Sequence, residues 1–214
     1  MSAFSPGVGI IFKSYEPLAE MAAYAKLAEN VGLTGGMWVA EAYHWFRNYN
    51  KECRGAFVTL CACVAATKTI PIGLGITTPY MRHPSAIALE AAGMDEYSNH
   101  RFTLGLGVGA VGVRYLETDM EAQKPVPIHR EAVRIIKGIL SGKAMNYEGE
   151  HFKAEVPGVA SSLMRHRPDL PVYIGATGPL MNKLAGRIAD GLLLPGLTSS
   201  GFVRNAKERL MNGF

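Results

Sequence analysis

The chain has 214 residues, of which 48% are hydrophobic and 19% charged, enough apolar material for one well-packed domain. Its apolar runs stay short of the roughly 20 residues that cross a bilayer, and the start, MSAFSPGVGIIF, has neither the charged nor the apolar region of a secretion signal, so the chain reads as cytoplasmic with no membrane partner. The net charge of +4 comes without a Lys/Arg run, which argues against nucleic acid. The cysteines Cys53, Cys61 and Cys63 fall in one helical stretch with no second ligand cluster, as small buried residues and not a metal site.

Strand and helix signals then alternate, the pattern of βα units on a parallel sheet. Residues 7–12 read as the first strand. Residues 16–31 form a helix with Leu18, Met21, Ala22, Ala25, Leu27 and Ala28 on one face, and 36–40 the second strand. A helix over 55–67 follows. Residues 70–76, rich in β-branched side chains, make the third strand, which ends at Thr77-Thr78-Pro79. Pro84 suits the first turn of a helix running to Tyr97. Residues 101–107 are the fourth strand, apolar on both faces like the third, as in a sheet covered by helices. A helix runs from near Ile128 to Ser141-Gly142. Residues 143–168 break the rhythm as an insertion, with a hairpin around Glu148-Gly149. Strand 170–175, helix 179–189, strand 191–194 and a last helix over 200–211 complete about six βα units.

Glycines crowd the carboxyl ends of these strands, where α/β proteins place ligands. Gly75-Ile76-Thr77-Thr78 ends the third strand, and Gly105-Leu106-Gly107-Val108-Gly109 the fourth. Residues 107–112 match GxGxxG, but no clear helix opens after them, which excludes a dinucleotide fingerprint. Gly175-Ala176-Thr177-Gly178-Pro179 leads into a helix whose free N–H groups attract phosphate, unless Thr177 or Gly178 serves only as its cap. Glu41 ends the second strand and is followed by His44, Trp45 and Arg47.

These segments carry a resemblance. ITTPYMRHP and MDEYSNHRFTLGLGVG resemble the third strand, third helix and fourth strand of the luciferase-like flavin and deazaflavin oxidoreductases. WVAEAYHWFRNYNKECRGAFVTL resembles their second strand and following loop, and LPVYIGATGPLMNKLAGRIADGLLL their fifth and sixth strands. The likeness is nearest to the F420-dependent branch, typified by methylenetetrahydromethanopterin reductase.

The resemblance implies an α/β fold, a luciferase-like TIM (β/α)₈ barrel truncated after about six βα units, in one domain spanning 1–214. Val8, Ile10, Leu192 and Leu194 would then be exposed on the edge strands, and a homo-oligomer would cover them. The implied activity is hydride transfer between coenzyme F420 and a small organic substrate. The alternatives are an FMN-dependent luciferase-like monooxygenase and a non-catalytic flavin-binding or subunit-like remnant. A cis Gly75–Ile76 bond is implied behind the cofactor ring. Glu41, Gly75, Ile76, Thr77, Thr78, Gly107, Gly109, Gly175, Ala176, Thr177 and Gly178 would line the cofactor. His44 and Glu41 would handle protons, and Trp45 and Arg47 would meet the substrate. Two proton-handling positions of the family are alanine here, Ala42 and Ala110, which favours the remnant. The Arg82-His83-Pro84 signature reads as structural, with His83 capping the third helix.

Overall fold

The computed structural model of the chain describes residues 7–41, 53–109, 124–158 and 167–213. In chain order the elements are β1 (Ile10–Lys13), α1 (Leu18–Asn30), β2 (Met37–Ala40), α2 (Ala56–Ala66), β3 (Ile72–Thr77), α3 (Pro84–Tyr97), β4 (Phe102–Gly107) and α4 (Pro125–Leu140). They continue with β5 (Met145–Glu148), β6 (Lys153–Val156), β7 (Val172–Gly175), α5 (Pro179–Ile188), β8 (Gly191–Leu193) and α6 (Ser200–Met211). Six strands form one parallel sheet in the order β1-β2-β3-β4-β7-β8, so the βα units lie side by side in chain order. The insertion is an antiparallel β5-β6 hairpin outside that sheet.

The outer face of the sheet is the core. Met37, Val39, Ile72, Leu74, Leu104, Leu106, Val172 and Ile174 are buried there against Leu60, Ile87, Ala91, Ile136 and Leu184 of the helices. At about 25 cal/mol per Å² of apolar surface, each such side chain contributes roughly 1.5–3 kcal/mol. The inner face is concave. Trp38 of β2 and Tyr173 of β7 stack with centroids 6.2 Å apart. Their strands lie three spacings apart, about 14 Å in a flat sheet, so only a strongly curled sheet brings the rings together. Gly73 makes this possible, because a Cβ there would lie 2.2 Å from the Trp38 ring. No described helix is long and apolar enough to cross a membrane.

Three expectations need correction. β1 starts at Ile10, not at residue 7. Residues 7–9 instead lie against the Gly35-Gly36 turn, where Gly35 N–H donates to the Val8 carbonyl at 2.8 Å. Helix α4 starts one turn earlier than read, because Pro125 occupies its first turn. Of the cysteines, Cys53 precedes α2 and Cys61 is exposed on the outward side of that helix. Only Cys63 is buried, its thiol pushed up to about 11 by burial.

The edges also differ from each other. At the β1 edge, Val8 just before the strand is 71% exposed and Ile11 within it 57%. Leu192 and Leu194, expected to be exposed, are half-buried. Leu192 packs on the core, and Leu193 turns into the concave face, where its methyl lies 2.7 Å from where a Gly105 Cβ would be.

Candidate active site

The strand ends gather charge from residues far apart in sequence. Backbone pairing of β2 with β3 stops at Val39–Leu74. Beyond it, side chains join the two strands. Thr77 donates its hydroxyl to Glu41 Oε2 at 2.6 Å, and Arg82 Nη1 donates to Glu41 Oε2 at 2.9 Å. The same nitrogen lies 2.8 Å from Glu41 Oε1 and 3.2 Å from the Thr77 hydroxyl. The Glu41 side chain is 9% exposed. Arg82 reaches this point because the loop after β3 turns it back under helix α3, where its Nε lies 3.8 Å from Glu90. Burial raises the Glu90 carboxyl above its ordinary value, with Arg82 opposing the shift.

The end of β3 is bonded to the end of β4. Thr78 donates its hydroxyl to the Val108 carbonyl at 3.2 Å. The Gly75–Ile76 peptide is cis, as the resemblance implied. The Ile76 side chain lies across the neighbouring strands. A Cβ on Gly107 would lie 3.0 Å from its Cδ1, and one on Gly175 2.7 Å from its Cγ2. Much of the room those glycines leave is therefore filled from within, by Ile76. Gly109 takes a φ of +61°, the left-handed region suited to glycine, beside Thr78.

The turn after β7 is shaped differently. Gly178 is the N-cap of α5 and brings no side-chain cap, and Thr177 is exposed, so neither provides a side-chain cap. Buried Asn182, its amide oriented by its bonding partners, donates to the carbonyls of Ala176 and Gly178 at 3.3 and 3.2 Å. This holds the turn from inside. A Cβ on Gly178 would meet nothing within 4 Å.

Helix α4 supplies a residue that sequence reasoning passed over. His129 is fully buried, and its ring sits edge-on to Tyr80 at 5.8 Å. Nδ1 lies 2.8 Å from the Pro125 carbonyl, while Nε2 is buried without a hydrogen-bond partner. Burial pushes the imidazole below its ordinary value, and neighbouring carbonyls, Gly107 among them, oppose the shift. Burial also pushes the Tyr80 phenol up to about 12. No pattern signals His129, since its neighbours Pro125 and Ile128 mark only the start of a helix. The RHP motif did mark Arg82, though not its bond to Glu41.

His83 caps α3 as read, accepting from Ser85 N–H at 3.2 Å, and its ring meets Phe152 edge-on at 5.5 Å. That contact docks the hairpin tip near the strand ends. Glu131 fixes the tip further by accepting from the N–H groups of Glu150, His151 and Phe152, each at 3.0 Å. The structure thus brings Glu41, Thr77, Thr78, Gly107 and Gly109 together around Ile76, with the turn from Gly175 to Gly178 on the β7 side. His44, Trp45, Arg47, Ala42 and Ala110 lie outside the described residues. Among the described residues no three His, Cys, Asp or Glu side chains gather as metal ligands.

The comparisons agree with this architecture. The luciferase-like monooxygenase family model matches residues 3–211. The chain is 32% identical to the 5,10-methylenetetrahydromethanopterin reductase of Methanolobus tindarius over 87% of its length and 53% of that protein. It is 31% identical to the F420-dependent glucose-6-phosphate dehydrogenase of Kineococcus radiotolerans, over 81% of this chain and 51% of the relative. The coenzyme F420-dependent tetrahydromethanopterin reductase of Methanopyrus kandleri superposes with a TM-score of 0.82 at 26% identity, covering 97% of this chain and 60% of that one. The chain spans about half the length of the curated relatives it matches. With nearly its whole length under one family model and its six strands in that fold's order, the chain belongs to the luciferase-like monooxygenase family.

Proposed function

We propose that the chain is an F420-dependent oxidoreductase that passes hydride between the deazaflavin and a small organic substrate. The observation that carries this reading is the α5 start: an uncapped helix N-terminus, open above Gly178, at the carboxyl end of a barrel-type sheet. The F420-dependent relatives support the deazaflavin over other anionic ligands. The residues present fit such a group. Main-chain N–H groups after Gly178 would hold phosphate, and Gly175, Ala176 and Thr177 would flank it. Gly75, Ile76, Thr77 and Thr78 would back the ring, with Glu41 beside the head group and Gly107 and Gly109 completing the wall.

When bound, the deazaflavin supplies the hydride chemistry. The chain orients the ring, excludes water and presents the substrate. His44 is the candidate proton carrier, and Trp45 and Arg47 are the candidate substrate contacts. Exposed Ile10 and Ile11 on edge strand β1, with Val8 just before it, favour a homo-oligomer that covers them.

The test is a fluorescence and absorbance titration of purified protein with F420 and, separately, with FMN. Saturable F420 quenching without FMN uptake is the expected result. FMN uptake alone would instead favour a flavin monooxygenase. F420 binding without turnover of any alcohol, sugar phosphate or pterin substrate would favour a non-catalytic remnant. Light scattering across a concentration series checks the oligomer.

A further inference from the structure

The described contacts of Arg82 link four elements. Its Nη1 touches Glu41 beyond β2 and Thr77 at the end of β3. Its guanidinium carbon lies 5.7 Å from the centroid of Phe57 on α2. Its Nε faces Glu90 on α3 at 3.8 Å. The backbone ladder between β2 and β3 has already ended, at Val39–Leu74. Past that point the side-chain bonds of Glu41, Thr77 and Arg82 are what the structure shows joining the two strand ends.

We propose that Arg82 is a positioning residue and that Glu41 is a fixed anion of the site, not a proton carrier. Both oxygens of the carboxylate already have close partners. Oε1 lies 2.8 Å from Arg82 Nη1 in the ion pair, and Oε2 accepts from the same nitrogen at 2.9 Å and from the Thr77 hydroxyl at 2.6 Å. A proton placed on Glu41 would compete with these donors and leave a half-buried guanidinium without its close counter-ion, a costly state. A group that must cycle between protonated and ionised forms is poorly served by such a clamp. A group that must hold one charge and one place is well served, because Arg82 Nη1 sits between both carboxylate oxygens and the Thr77 hydroxyl while its Nε faces Glu90. Thr77 completes the device by carrying the position of Glu41 to the end of β3, which backs the ring in the reading given above. The inference rests on that reading only for what Glu41 faces. The clamp itself is a property of the apoprotein.

The variants are Arg82→Gln, Arg82→Lys, Glu41→Gln and the double variant Arg82→Gln/Glu41→Gln. Apoprotein melting temperatures and F420 dissociation constants are measured for each, with kcat and KM across pH for those that turn over. Arg82→Gln is expected to raise the F420 dissociation constant about tenfold, with Arg82→Lys recovering part of the loss, since lysine keeps the charge but cannot face Glu41 and Glu90 at once. Glu41→Gln is expected to weaken F420 binding while both limbs of the kcat–pH profile stay in place. The two single losses in melting temperature should exceed the loss in the double variant by several degrees, the mark of coupled partners.

Loss of one limb of the kcat–pH profile in Glu41→Gln would overturn the fixed-anion role. Additive melting losses would overturn the clamp. If the wild-type protein takes up FMN and not F420, the reading of the cofactor fails, but the apoprotein cycle still decides the clamp.

Discussion

At the amino-terminal ends of the strands, charged side chains tie down main-chain groups as well as one another, whereas at the carboxyl ends Glu41, Thr77 and Arg82 bond side chain to side chain. Glu29 accepts from the N–H groups of Lys68, Thr69 and Ile70 at 2.7, 2.6 and 3.2 Å. Arg101 donates to the carbonyls of Ser98, Ile70 and Thr67, and Asp190 accepts from Val172 N–H at 2.9 Å. Asp95, nearly fully buried, holds Arg167 at 2.6 Å and His100 at 2.7 Å, and Arg167 also reaches the His100 carbonyl. Asn99 and His100 adopt left-handed backbone at this turn, with φ of 55° and 62°. At the other end stand the Glu41–Thr77–Arg82 set, an uncapped helix start and an unpartnered His129 nitrogen. One end satisfies its polar groups internally. The other leaves a helix start without a side-chain cap, as expected where a barrel-type sheet builds its ligand site.

The contrast is broken most directly at Asp95. Asp95→Ala leaves Arg167 without its buried carboxylate, with only exposed Asp169 at 3.5 Å among the described carboxylates, and should cost about 3 kcal/mol in chemical denaturation, with F420 affinity of the folded fraction unchanged. A comparable loss of affinity would mean that the two ends are coupled.

Glu29→Gln should cost roughly 1–2 kcal/mol, since a neutral amide oxygen accepts those N–H groups more weakly. Its contacts, with Lys26 first and the Thr69 N–H next, hold the Glu29 carboxyl well below the ordinary carboxylate range. The folded value is the lower one, so the stabilisation is complete above about pH 4.5 and is lost as pH falls toward the folded value. Acid titration of stability should show this loss in the wild type and not in Glu29→Gln.

Gly178→Leu turns the comparison round. The added side chain meets open space, so stability should stay within about 0.5 kcal/mol of the wild type. Cofactor affinity should fall about tenfold, because the helix start is crowded. Unchanged affinity in a folded variant would place the phosphate elsewhere.

His129→Leu should have the smallest effect. It removes a buried nitrogen without a partner along with one bond to Pro125, for a net change of about 0.5 kcal/mol or less at pH 8. The wild-type imidazole is depressed by burial, so its neutral form contributes stability above about pH 6.5 that fades as pH falls further. Denaturation at pH 8 and pH 5 should therefore give the variant a smaller loss than the wild type.

Much of the fold was legible in the residues, and less of the site. Alternating apolar strands and capped helices, as in Pro84 after His83, located each element to within a few residues. The strand order followed from the family resemblance, since right-handed βα crossovers build barrel and doubly wound sheets alike. The glycines at 75, 107, 109, 175 and 178 marked the strand ends, yet Ile76 takes the space over two of them, which periodicity does not reveal. The hairpin was legible from Glu148-Gly149, but its docking on Glu131 and His83 was not.

By itself, the sequence determined the βα rhythm, from local periodicity, and the family, from motifs read in order, with the strand order implied by that family. Only the tertiary structure decided that the sheet curls until Trp38 meets Tyr173, that Arg82 reaches a carboxylate 41 residues away, and that His129 is sealed beneath Tyr80. Those contacts depend on curvature and on how loops fold back over strand ends, quantities set by packing among distant side chains and not by any one stretch of chain.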